Sequence, residues 1–431
     1  MNIFTCPLPP SWTRTSISSQ YRVTKKPRDL KIDGEQKLPF IPMELVPAGG
    51  QTGCKFELRK FDAITSGMYF EAGDVLLSKI TPSFENGKQG LANDLPGKFG
   101  YGSTELIPLQ ALTKDAVNLY LFYLLLQHEV RDSLTSKMEG STGRQRVPEG
   151  AVRELEIPFP PRTEQEKIAA ILWKLQRAIA TQDRLIATTR DLKQSAMYRL
   201  FTCGVRGEQQ KETEIGSMPE NWAAVQLGNV STLSTGTTPA TKEAHYYDGD
   251  VPFIKTVDVV NNRITSASTH LSQAAIDAYS LKLFPPGTVL MAMYGQGKTR
   301  GQVALLEIAA ATTQNAGAIQ PSSEIDSAFL WHYLLSCYER LRGMGSLGHV
   351  SHLNLGYLRD LVIVKPPLDQ QREIAAILDA IDRKLAHHQK KRAALNDLFQ
   401  TLLHKLMTGE IRVADIDIDA SEITAATGAH A

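Results

Sequence analysis

One helix is written twice in this chain, 206 residues apart and without a gap. Pro160-Pro161-Arg162-Thr163-Glu164-Gln165-Glu166-Lys167-Ile168-Ala169-Ala170-Ile171-Leu172 returns as Pro366-Pro367-Leu368-Asp369-Gln370-Gln371-Arg372-Glu373-Ile374-Ala375-Ala376-Ile377-Leu378. The register holds through Asp191-Leu192 against Asp397-Leu398, Gln194 against Gln400, Thr202 against Thr408 and Arg206 against Arg412. Each copy follows a segment of roughly 150 residues, so the chain reads globule, long helix, globule, long helix. A repeat on this scale fixes the architecture before any local preference is weighed, because both copies must solve the same packing problem. Two units held on matched rods suit a protein that engages two places at once.

The helices want partners. Ile168, Leu172, Leu175, Ile179, Gln182, Ile186, Thr189, Lys193, Ala196 and Leu200 recur in steps of four and three, the spacing of a coiled-coil seam. The second copy matches with Ile374, Leu378, Ile381, Leu385, His388, Arg392, Leu395, Phe399, Leu402 and Leu406. Ile171, Ala178, Leu185 and Leu192 widen the first seam, and Ile377 and Leu398 flank the second. Thr163 and Asp369 are placed to cap the helices, and Gly204 and Gly409 to end them. A helix over 164 to 200 is a rod of roughly 55 Å. Polar Gln182 and His388 in mid-seam are expected to fix register and orientation. His387, His388 and His404 complete no metal-ligand spacing, and no metal is expected.

At 431 residues the chain is long enough for two or three domains with their own cores. It is 42% apolar and 22% charged, with no apolar run long enough to span a bilayer. Met1 to Gln20, which contains Pro7, Pro9, Pro10 and Arg14, lacks the apolar core of a secretory signal. Cys6, Cys54, Cys203 and Cys337 are widely spaced, as free thiols in a reducing cytoplasm would be. Net charge is only +1, so any nucleic-acid binding must rest on local patches or on partners. The isolated chain is then expected to hold DNA weakly and in a salt-sensitive way.

The globules share a frame. Pro9-Pro10-Ser11-Trp12 answers Pro219-Glu220-Asn221-Trp222, Pro39-Phe40-Ile41 answers Pro252-Phe253-Ile254, and Gly73-Asp74-Val75-Leu76-Leu77 answers Gly287-Thr288-Val289-Leu290-Met291. Leu121-Phe122-Tyr123 answers Leu330-Trp331-His332, and Gly140-Ser141-Thr142-Gly143 answers Gly345-Ser346-Leu347-Gly348. Short apolar runs bounded by Gly, Pro and Asn read as strands, and residues 116 to 138 and 326 to 343 as helices. The side chains suited to base edges or phosphate lie in Gly-punctuated loops: Lys79, Lys88, Gln89, Thr142, Arg144, Gln145 and Arg146 in the first globule. In the second they are Gln296, Lys298, Arg300, Gln302, Gln314, Asn315, His349 and His352. Ala292-Met293-Tyr294-Gly295-Gln296-Gly297-Lys298-Thr299 imitates a phosphate-binding loop, but Val303-Ala304-Leu305-Leu306 reads as a returning strand where a helix would be needed. Neither an N-P-P-aromatic tetrapeptide nor an adenosylmethionine-type Gly-rich turn is present, and no catalytic constellation can be placed.

These motifs resemble those of the specificity subunit of type I restriction-modification enzymes. The resemblance is carried by the Pro-Pro, Gln165/Gln371 and Ile-Ala-Ala-Ile-Leu helix openings, the Thr408-Gly409-Glu410-Ile411-Arg412-Val413 ending and the Met218-Pro219-Glu220-Asn221-Trp222 domain start. It covers residues 1 to about 413; the first helix departs at its end, with Thr202-Cys203-Gly204-Val205-Arg206-Gly207. It implies a non-catalytic subunit whose two target-recognition domains each read half of a split, asymmetric site on double-stranded DNA. The helices would set the gap and dock modification subunits, which use S-adenosylmethionine, and restriction subunits, which use ATP and Mg; this chain itself would hold no cofactor. The expected fold is α+β, two mixed domains separated by two long helices that pair as an antiparallel coiled coil. Its segments are a first target-recognition domain over 1–157, a spacer helix over 158–207, a linker over 208–216, a second domain over 217–363, a C-terminal helix over 364–413 and an unstructured tail over 414–431. The alternatives are a coiled-coil scaffold whose globules bind protein, and a nucleotide hydrolase dependent on Lys298.

Overall fold

The computed structural model describes residues 2–295, 298–344 and 353–417. The chain divides into two compact units, Met1–Arg184 with Lys390–Ala431, and Leu185–Gln389. That division cuts both long helices, Arg162–Cys203 and Leu368–Met407. Each unit therefore contains a globule and half of each helix, and the helices are not packing units of their own. At 42 residues the first helix is about 63 Å long.

In the first unit a four-stranded antiparallel sheet orders Tyr21–Val23, Leu106–Ala111, Val75–Ser78 and Gln89–Leu91. A second sheet orders Glu57–Lys60, Lys37–Ile41, Phe99–Gly102 and Met68–Glu71, with one parallel pairing, Phe40 to Tyr101. Thr13–Ser16 pairs with Glu156–Phe159 just before the long helix. Tyr21, Leu77, Tyr120 and Phe122 share one core with Ile168 and Leu172 of the first helix and Phe399, Leu403 and Leu406 of the second.

The second unit repeats this plan. Ser231–Thr235, Ala316–Pro321, Val289–Ala292, Val303–Leu306 and Asn262–Ile264 form its main sheet, and Ala223–Gln226 pairs with Val362–Lys365 before the second long helix. Trp222, Val289, Phe329 and Trp331 pack with Leu200 and Phe201 of the first helix and with Ile374 and Leu378 of the second. Val289–Ala292 and Val303–Leu306 are antiparallel neighbours, so the loop that imitates a phosphate cradle joins two strands of a hairpin. No helix follows it among the described residues, and no helix N-terminus is offered to a phosphate.

Within each unit the helix halves run antiparallel. In the first, Glu164 pairs with Arg412 and Asp183 with Arg392. In the second, Lys193 pairs with Asp382 and Arg206 with Glu373. Of the seam positions, Ile168, Leu172, Gln182, Ile186, Thr189, Leu200, Ile374, Leu378, Phe399 and Leu406 are buried, while Leu175, Ile179, Ile381, Leu385 and His388 are half-buried.

Several expectations need correction. Leu185, Leu192, Ile377 and Leu398 do not widen a seam; they are 37 to 52% exposed. Arg392 is exposed too, drawn outward to Asp183 at 2.5 Å. Thr163 and Asp369 lie inside the first turn, not at the cap, because each helix starts directly after its Pro-Pro pair. Gly204 and Gly409 do end the helices, in left-handed conformation at φ 71° and 75°.

The single helices expected over 116–138 and 326–343 are each two. Asn118–Leu124 and His128–Thr135 are separated because Gln127 turns extended and its side chain accepts from the His128 N–H. Ser327–Ser336 stops at Cys337 before Tyr338–Met344 begins. The stretch 208–216 is not a bare linker: Gln210–Thr213 and Gly216–Pro219 form a hairpin, which Lys211 Nζ ties to the carbonyls of Glu220 and Trp222. Of the tail, residues 418–431 lie outside the described residues.

Candidate nucleic-acid interface

The repeat acts first as a frame. Gln165 and Gln371 are both fully buried and make the same three bonds. Gln165 Nε2 donates to Pro160 O (2.8 Å) and Asp115 O (3.0 Å), and its Oε1 accepts from Val117 N. Gln371 Nε2 donates to Pro366 O (2.8 Å) and Glu324 O (3.0 Å), and its Oε1 accepts from Asp326 N. One side chain thereby locks a helix opening to the loop that launches the globule's own helix. Beside it, Trp12 Nε1 donates to Glu164 (2.9 Å) and Trp222 Nε1 to Gln370 (2.7 Å). Glu164 is charged, and although burial alone would raise its carboxyl, Arg412 and Trp12 hold it below the usual range. Its counterpart Gln370 is neutral, and Arg206, the counterpart of Arg412, turns instead to Glu373.

On that frame both globules present the same three-part hub. In the first, Lys79 N–H donates to Glu105 O (2.9 Å) and Val147 N–H to Lys79 O (2.8 Å). In the second, Met293 N–H donates to Asn315 O (3.0 Å) and Leu353 N–H to Met293 O (3.0 Å). The structure thus gathers the described parts of the sequence-nominated loops: 79–81 with 142–147 in one unit, and 293–295 and 298–302 with 313–315 in the other. Backbone geometry is shared while the side chains diverge, as two sites of different specificity require.

The individual side chains fare differently. Thr142, Arg144, Arg146, Lys298 and Gln314 are exposed, and Lys79, Gln145, Arg300, Gln302 and Asn315 half-buried. Gln89 is fully buried and cannot face a ligand: its Nε2 donates to Phe122 O (2.6 Å) and its Oε1 accepts from the buried Arg131 guanidinium. Lys88 donates to Met43 O (2.8 Å) and Arg300 to Arg342 O (3.1 Å), so both brace loops. Gln296, His349 and His352 lie outside the described residues.

Other candidate side chains were not nominated by loop chemistry. In the first unit Lys25, Lys26, Arg28, Lys31, Lys37 and Lys98 are exposed and make no ion pair among the described residues. Lys31, Lys37 and Lys98 border a groove of about 1030 Å³ with Tyr69 and Phe99 in its wall, the mixture of cations and aromatic faces that suits nucleic acid. The charge run Lys25-Lys26-Pro27-Arg28 signals it in sequence. In the second unit a cavity of about 590 Å³ is bordered by Thr238, Lys255, Thr256 and Thr313. The Thr238 hydroxyl donates to Gln314 Oε1 (2.5 Å), and the Thr256 and Thr313 hydroxyls are 3.3 Å apart. The first surface is basic and the second largely neutral and hydroxyl-rich.

One group has the ligand types of a metal site. His332, Asp379 and Asp382 bring ligand atoms within 4.8 Å of one another. Arg263 is 2.5 Å from Asp379, however, and Lys193 is 2.7 Å from Asp382. Two built-in cations already balance the carboxylates. Burial pushes His332 down, so it is a neutral donor to Asp379 at 2.8 Å. The group is an ionic joint between the globule and both helix halves of its unit.

The family model of the type I restriction modification DNA specificity domain matches twice, over residues 24–188 and 219–397. The chain belongs to this family of DNA specificity subunits. It is similar to the type I restriction enzyme MjaVIII specificity subunit of Methanocaldococcus jannaschii, 27% identical over 337 residues, 74% of this chain and 76% of that protein. It is also similar to the EcoAI specificity subunit of Escherichia coli, 32% identical over 222 residues, 51% of this chain and 36% of that one. The crystal structure of a type I restriction-modification S subunit from M. genitalium has the same fold, with a TM-score of 0.61 at 18% identity over 92% of this chain and 96% of that one. As a specificity subunit with two matched domains, the chain has the organisation that bipartite DNA recognition requires.

Proposed function

We propose that each globule of this specificity subunit reads one half of a split, asymmetric site on double-stranded DNA, while the two long helices set the unread gap. The observation that carries the reading is the hub built twice with the same backbone bonds but with Ser103-Thr104-Glu105 in one globule and Thr313-Gln314-Asn315 in the other. A shared frame delivers two loop sets to the same kind of ligand, and different side chains select different sequences. The first globule adds phosphate affinity through Lys25, Lys26 and Arg28. The helices also dock modification subunits that carry S-adenosylmethionine and restriction subunits that carry ATP and Mg. The chain contributes no catalytic group of its own. Among the described residues no helix is long and apolar enough to cross a membrane, and the complex works in the cytoplasm beside the DNA.

Co-expression of the chain with its modification subunits in a host free of other DNA methylation tests this. Genome-wide mapping should return one motif with two fixed blocks and a constant gap. Methylation scattered without a motif, or a single undivided block, would refute the reading.

A further inference from the structure

Arg146 is fixed from three sides. Its backbone exchanges hydrogen bonds with Glu139 at 2.8 and 2.9 Å, and the flanking Gln145 and Val147 bond to Thr81 and Lys79. The turn that precedes it is tight: Arg144 N–H reaches Ser141 O at 2.9 Å, Gly143 has φ 79°, and Gly140 at φ 122° would set a Cβ 2.9 Å from Arg144 O. The side chain is clamped as well, with Nε 2.9 Å and Nη2 2.7 Å from the two oxygens of Glu105. Glu105 is itself anchored at the hub through its carbonyl, and the Arg146 guanidinium holds its carboxyl below the usual carboxylate range.

A guanidinium carries five N–H groups. Glu105 engages the side edge, Nε and Nη2, and a further Nη1 hydrogen leans toward Arg144 O at 3.4 Å. Two N–H groups remain, one on each terminal nitrogen, on a side chain 46% exposed, and with the long Arg144 contact yielding they form the end-on fork. Two parallel donors match the O6 and N7 acceptors of guanine, whereas adenine and cytosine each turn a donor to the same groove. Phosphate also accepts such a fork, but Glu105 neutralises this guanidinium and would repel a phosphate. The unpaired Lys25, Lys26 and Arg28 are the better phosphate ligands. Clamping also removes rotamer freedom before binding, which lowers the entropic cost of the contact.

We infer that Arg146 reads one guanine in the half-site of the first globule through this fork, with Glu105 as the positioning residue; the inference rests on the DNA-reading function proposed above. The test uses the full chain in complex with its modification subunits, and methylation mapping of the wild type, Arg146→Ala, Arg146→Lys and Glu105→Gln. Arg146→Ala and Arg146→Lys should each lose preference at one G·C pair by about tenfold to a hundredfold, with the other half-site unchanged. Lysine keeps the charge and loses the fork, so it separates base reading from phosphate attraction. Glu105→Gln should weaken the same preference, and the loss should vanish in an Arg146→Ala background, a non-additivity that a merely structural role would not produce. Uniform slowing across all sites with preference intact, or a lysine variant that reads the pair as before, would overturn the inference while leaving the proposed function standing. A wild-type complex with no sequence preference would remove the function, and the inference with it.

Discussion

Asp74 should make the first unit less stable as pH rises through the neutral range. The residue is fully buried at the turn into Val75–Ser78. One oxygen accepts the Glu71 N–H at 2.9 Å, and the Thr24 hydroxyl lies beside the carboxyl, but neither offsets the burial. Burial pushes the carboxyl up from 3.8 to about 7. A raised carboxyl pKa means the folded state holds the proton more tightly than the unfolded chain does. Its stabilisation is complete below about pH 4, falls as pH rises, and is gone once the pH passes about 7. The rise from 3.8 to about 7 corresponds to at most about 4 kcal/mol, a large share of a typical domain's stability.

The second globule shows what the site tolerates. Thr288 stands in the equivalent position, buried and neutral, with its hydroxyl donating to Pro285 O at 2.8 Å. Asp74→Asn and Asp74→Thr should therefore remove the penalty. The assay is urea unfolding at pH 5, 6, 7 and 8, with hydrogen exchange at Val75–Ser78 to report on the first unit by itself. The stability difference between variant and wild type should grow from pH 5 to pH 8, since other titrating groups cancel in that difference. Parallel pH curves for variant and wild type would refute the reasoning, whichever protein is the more stable.

Two further outcomes are expected. Glu164→Ala strands Trp12 Nε1 and Arg412 together and should cost about 2 to 3 kcal/mol, whereas Gln370→Ala should cost about 1 because the bond lost is neutral; equal costs in urea unfolding would contradict this. A heptad added within 164–200, with a matching one within 370–406, lengthens the rods by about 10 Å, or roughly three base pairs. Mapped sites should keep both half-sequences, with a gap wider by about one to three pairs and slower methylation because the groove also rotates; an unchanged gap would show that something else sets the spacing.

What could be read from sequence was what local periodicity or duplication encodes. The long helices were legible because apolar residues recur every three or four positions and because two copies keep one register; their observed ends differ from the expected ones by only a few residues. The break at Gln127 was not, since its Nε2 meets His404 Nδ1 at 2.9 Å across 277 residues of sequence. Gln89 looked like a loop amide for the same reason. Its partner is Arg131, and only the fold shows that two polar groups satisfy each other in a core. Arg146 was legible as a cation in a glycine-rich loop, but its clamp was not, because Glu105 lies 41 residues away.

The duplication also hides differences that only packing exposes. In the first unit Tyr123 donates to Gln176 at 2.7 Å and its ring meets Phe399 edge-on at 6.2 Å, a neutral joint between the globule and both helix halves. At the matching positions of the second unit stand His332, Asp382 and Lys193, and the joint is ionic. A repeat therefore constrains where a joint falls and leaves its chemistry free, provided that every buried donor and charge is answered locally. The two hubs follow the same rule on their exposed side, where the backbone bonds are kept and the side chains are replaced. If the hubs read DNA as proposed, selection for a new target can exchange hub side chains such as Arg146, Glu105, Gln314 and Asn315 without disturbing Gln165, Gln371 or the helices that they anchor.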